Sequence, residues 1–131
     1  MSKTNLGAGR LLIAIYGVFA ISASARALYQ LLRKFEDAPL AYSLSALSAV
    51  VYILATIALA RTGQTWRRIA LWTLAFELSG VIVVGALSIL MPELFSHPTV
   101  WSGFGVGYGF IPLFLPILGL IWMRRANASD R

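Results

Sequence analysis

Cysteine is absent from the 131 residues, which excludes disulfides and thiolate chemistry. Charge is scarce too: Asp, Glu, Lys and Arg supply 12% of the chain, where about 25% is usual for a soluble domain. The 5 acidic residues stand against 11 basic ones. A single histidine, His97, excludes histidine-ligated haem and multi-histidine zinc sites by counting. No nucleophile, base and acid stand together in the sequence, and there is no phosphate loop or metal spacing, so neither an enzyme nor a cofactor is expected.

Apolar residues fill the space that charge leaves. Counting Gly and leaving out Tyr, about 63% of the chain is apolar, against a globular norm of about 45 to 50%. Mean hydropathy is +0.78. That much apolar surface excludes a soluble enzyme, a disordered chain and, despite a pI near 10.3, a nucleic-acid-binding module. Four apolar runs, over residues 11–32, 39–60, 69–90 and 104–123, each match the roughly 20 residues that carry an α-helix across about 30 Å of hydrocarbon. The runs are continuous rather than alternating, so helices and not a closed barrel are expected to satisfy the backbone in lipid. The longest loop, 91–103, is too short for a separate domain. The expected architecture is all-α: a polytopic membrane protein whose single transmembrane domain, residues 1–131, is a four-transmembrane-helix bundle.

Lys3 and Arg10 precede the first run, Arg61, Arg67 and Arg68 separate the second from the third, and Arg124, Arg125 and Arg131 follow the fourth. These share one side of a four-span topology, and Arg33 and Lys34 lie on the other. By the positive-inside rule both termini are expected in the cytoplasm of a bacterial inner membrane. Trp66, Trp72 and Trp122 then fall near the inner interface and Trp101 near the outer one. An alternative reads Lys3, Arg10, the apolar stretch 11–21 and Ala23-Ser24-Ala25 as a signal peptide with its cleavage site. Apolar character resumes over residues 27–32, which suits a full span interrupted by Arg26.

Arg26 and Glu77 are the ionisable residues inside the runs, and each costs about 2.5 to 3.5 kcal/mol if unpaired at a helix centre. Measured from the cytoplasmic ends, Arg26 lies about 22 Å deep and Glu77 about 12 Å deep. Direct pairing across that difference is strained, and a bridging water or hydroxyl serves as well. Arg26 also has the option of snorkelling to the headgroups. Glu77 is too short for that. It reads either as a carboxyl that loads and releases a proton or cation, or as an acid hydrogen-bonded to a neighbouring helix.

Small residues recur at helical spacing: Gly17, Ala20, Ser24 and Ala27 on the first run, Ala41, Ser45 and Ala49 on the second. They predict close helix contacts within the monomer or an oligomer, with Ser43, Ser45, Ser48, Thr56 and Ser79 available for bonds between helices. The stretch Gly105-Val106-Gly107-Tyr108-Gly109 is similar to a potassium-channel filter but has Gly for the hydroxyl-bearing Thr. Pro92 and Pro98 break the segment where a pore helix would stand. Pro112 and Pro116 predict a kinked fourth helix in which the carbonyls of Tyr108 and Pro112 lose their helical donors and become available to a ligand. Glu36 and Asp37, beside Arg33 and Lys34, read as a solvated cluster. His97 reads as a loop residue.

The stretch from Ser24-Ala25-Arg26 through Tyr42-Ser43-Leu44, with the turn Lys34-Phe35-Glu36-Asp37-Ala38-Pro39, and the segment from Trp101 through Trp122 resemble small four-span integral membrane proteins of actinobacteria. The resemblance covers most of the chain. It implies the same topology and no functional residues, because that group has no assigned activity. The expected function is association, as an accessory subunit of an inner-membrane complex or a homo-oligomeric scaffold. The alternative is a small proton- or ion-coupled transporter or channel whose polar site comprises Glu77, Arg26, Tyr108 and Pro112. The lipid bilayer is the expected surrounding, with a larger membrane complex or a second copy as partner and no nucleic acid.

Overall fold

The computed structural model describes residues 3–33, 39–94, 99 and 101–129, with side chains from residue 7 onward except at 94 and 126–129. His97 and the Lys34, Glu36 and Asp37 group lie outside the described residues. Among the described residues the chain is helical and has no strand. Helix α1 spans Lys3–Arg33, α2 Pro39–Ala60, α3 Gln64–Leu90 and α4 Ile111–Ser129, with short 3₁₀ segments at Pro92–Leu94 and Ser102–Tyr108. Three helices, α1 to α3, are long and apolar enough to cross a membrane.

Local chemistry explains where the helices begin and end. Pro39 opens α2, where its missing N–H is one the helix leaves unpaired anyway. Gly63, at φ 108°, reverses the chain between α2 and α3 in a conformation open to glycine without steric penalty. Leu90 closes α3 two residues before Pro92, and the Met91 N–H donates to the Leu87 carbonyl at 2.8 Å.

The fourth run is not one helix from 104 to 123. The Ser102–Tyr108 segment meets α4 at 97°, and Gly103, Phe104 and Gly105 have φ of 59°, 60° and 85°, left-handed backbone that a right-handed helix excludes. Apolar composition suggested one continuous helix here, but the glycine repeat makes a turn. Pro112 accordingly does not kink a helix. It is the second residue of α4, where a ring in place of an N–H breaks no intrahelical bond. The Tyr108 carbonyl therefore lies before the helix and loses no helical donor to Pro112. Pro116 does sit inside α4 and deprives the Pro112 carbonyl of its donor.

Packing is closest between α1 and α2. Ala20 and Ala27 of α1 and Ala41, Ser45 and Ala49 of α2 are buried, and a methyl added at Gly17 would lie 3.8 Å from the Thr56 methyl. The small-residue stripes are thus consumed within the monomer, where they let two backbones approach. Three of the hydroxyls expected to bridge helices donate within their own helix instead, Ser48 to the Ser45 carbonyl, Thr56 to Tyr52 and Ser79 to Ala75, and Thr73 likewise donates to Ile69. A carbonyl one turn back is the nearest acceptor for a helical Ser or Thr, and these side chains take it. Outward, Ile21, Leu32 and Trp72 are each more than 70% exposed. Such a surface matches lipid, in which helices are held by van der Waals contact and hydrogen bonds rather than by expulsion of water.

A sealed carboxyl and an arginine groove

Glu77 lies on α3, fully buried. The Tyr16 hydroxyl of α1 donates to its Oε1 at 2.6 Å. Oε2 is buried without a hydrogen-bond partner among the described residues. The Tyr16 ring leans on Tyr52 of α2, centroids 6.2 Å apart, and the Tyr52 hydroxyl accepts from the Trp101 indole N–H at 3.0 Å. Trp101 is buried rather than interfacial. Gly80 of α3 makes room for it, since an added methyl there would lie 2.7 Å from the indole ring. Two side-chain hydrogen bonds and one ring contact thus join α1, α2, α3 and the segment before α4 around one acid.

Arg26 is exposed, and no carboxylate among the described residues lies within ion-pair distance of it. Its guanidinium stands over the Tyr108 ring, 5.1 Å from the centroid, a contact worth about 0.5 to 2 kcal/mol. Tyr108 meets Phe19 edge-on at 5.9 Å, and Phe19 leans on Tyr52 at 5.3 Å. The structure therefore joins two of the expected site residues, Arg26 and Tyr108, and gives Glu77 a different partner, Tyr16. Pro112 stands apart from both pairs. It is buried against Gly105, where an added methyl would lie 2.8 Å from its ring.

Among the described residues three cavities lie near these groups. An open groove of about 820 Å³, at the end of the bundle where α1 and α3 finish, is lined by Arg26, Ser88, Thr99, Ser102, Val106 and Tyr108 among others. A cavity of about 20 Å³, lined in part by Phe19, Arg26, Ser45, Ser48 and Tyr108, has room for about one water. A shallow groove of about 550 Å³ runs between α2 and α3, edged by Trp72, Phe76 and Ser79. Glu77 lines none of the three.

Tyr16, Tyr52 and Trp101 were not singled out from the sequence as site residues. A signal existed for the tyrosines, which fall at nearly the depth of Glu77 when counted from the same ends of their runs. None existed for Trp101, whose place depends on how the chain returns to the bundle. No family model, curated protein or solved structure matches the chain.

Proposed function

We propose that the chain is a small four-span protein of a bacterial inner membrane, both termini cytoplasmic, that acts by association as an accessory subunit of a larger membrane complex. The observation that carries this reading is the sealing of its intramembrane acid. Glu77 is fully buried and bonded to Tyr16, so the polar interior ties helices together. The stripes that would drive self-association are already occupied between α1 and α2, which favours a different polypeptide as partner. The α2 and α3 face offers it a concave seat with Trp72 exposed. Native mass spectrometry of the tagged chain, extracted gently from its own membrane, tests this. A stable mass with a second polypeptide, lost in Trp72→Ala/Phe76→Ala, is the expected result. A homo-oligomer or a bare monomer overturns it.

One observation favours a second reading, a proton- or ion-coupled transporter: the unpartnered Oε2 of Glu77, beside a fourth unit broken before α4. Polar groups buried at membrane depth without partners mark ion pathways. Proton and ion flux into liposomes, present in the wild type and absent in Glu77→Gln, is what that reading requires.

A further inference from the structure

Hydrogen-bond donors from several elements line the groove where α1 and α3 finish. Arg26 lines it with the guanidinium face on Tyr108, an arrangement that leaves the N–H edges for another group. Thr99 and Ser102 line it too. The Thr99 N–H donates to Ser102 Oγ at 2.8 Å, the Trp101 N–H donates to Thr99 Oγ1 at 3.2 Å, and the two hydroxyls lie 3.1 Å apart. Among the described residues that pair has two O–H protons and one shared bond, so one proton is left to donate. Ser88 is already closed, donating to the Gly85 carbonyl and accepting from the Gly103 N–H. Among the described residues no carboxylate lines the groove.

Around these donors the surface is apolar. Ile89 and Val106, also in the lining, are 61% and 58% exposed. Arg26 lies seven residues before Arg33, the end of α1, which puts it about 10 Å below that end. An occupant needs an acceptor-rich, negatively charged head and an apolar body beside it.

We propose that this groove binds the phosphate of an anionic phospholipid, independently of whichever polypeptide the bundle associates with. Arg26 takes two phosphate oxygens in the fork geometry that guanidinium and phosphate share. The free hydroxyl proton of the Thr99 and Ser102 pair goes to a third acceptor, and the acyl chains lie along Ile89 and Val106. A free anion would gain nothing from those two side chains.

The test is native mass spectrometry of the full chain in an uncharged detergent, titrated with phosphatidylglycerol, with diacylglycerol of the same chains, and with inorganic phosphate. The wild type is expected to retain phosphatidylglycerol in preference to diacylglycerol, and Arg26→Gln to bind it about tenfold more weakly, the loss of a charge-assisted contact. Arg26→Lys should fall between, and the double variant Thr99→Val/Ser102→Ala, which removes both hydroxyl protons, should weaken binding about threefold. Arg68→Gln, at the opposite end of α3, should bind as the wild type does. A circular-dichroism melt of each variant separates lost binding from lost folding, and Thr99→Val/Ser102→Ala and Arg26→Lys carry the test if Arg26→Gln does not fold. Equal retention in the wild type and every folded groove variant overturns the proposal, as does equal binding of diacylglycerol. Displacement of the lipid by inorganic phosphate at equal concentration assigns the groove to a free anion and overturns the lipid.

Discussion

The Tyr16 hydroxyl reaches Glu77 Oε1 at 2.6 Å across 61 positions of sequence, and both residues are fully buried. Removing either side chain strands the other, at a cost of about 1 to 3 kcal/mol. Tyr16→Phe and Glu77→Leu should therefore each destabilise the bundle, and the double variant should lose less than the sum. The expected coupling is about 0.6 kcal/mol, with about 1.7 as an upper value for bonds between membrane helices. Unfolding in mixed micelles across the four proteins of the cycle measures it. Additive losses would mean that the bond contributes nothing specific.

Glu77→Gln separates structure from proton chemistry. The amide oxygen still accepts from Tyr16, so the α1 to α3 tie is expected to survive and the melting profile to stay close to the wild type. Under the association reading, the partner mass is retained in this variant. Loss of that mass with folding intact would show that the carboxyl has a role beyond holding helices.

Part of this centre was legible in the chain. Glu77 lies about 12 Å along its run, Tyr52 about 12 Å from the end of its own, and Tyr16 about 8 Å along the first, so depth alone brings the three to one level. The long helices were legible for the same reason, since uninterrupted apolar runs in lipid leave the backbone few other options. Composition misled at residues 104–110, where apolar side chains sit on backbone that turns left-handed at Phe104 and Phe110. The alternating glycines carried the better signal, because they relieve a turn of side chains it has no room for. The Arg26 and Tyr108 contact was hidden behind that error: a straight fourth helix would have put Tyr108 elsewhere.

The glycines of that turn should differ sharply in tolerance. Gly105 has φ of 85° and stands against Pro112, whereas Gly107 has open space around its Cα and no such backbone. Gly105→Ala combines left-handed strain of about 1 to 2 kcal/mol with overpacking of about 1 to 3 kcal/mol. A clear drop in melting temperature and in folded yield is expected for Gly105→Ala, with Gly107→Ala close to the wild type. Equal tolerance at both sites would contradict the geometry of the break before α4.

Absence of cysteine makes the proposed topology directly readable, because any thiol that reacts has been introduced. Thr62 lies in the turn between α2 and α3, and Glu93 is exposed just past the end of α3. Arg61, Arg67 and Arg68 surround the first position, and the positive-inside rule assigns it to the cytoplasm. In intact cells a membrane-impermeant maleimide is expected to label Glu93→Cys and to spare Thr62→Cys until the membrane is opened. The reverse pattern would invert the protein in the bilayer and move the Arg26 groove to the cytoplasmic leaflet. Labelling of both positions in intact cells would place them on one face, so that α3 does not cross, and would undo the four-span reading.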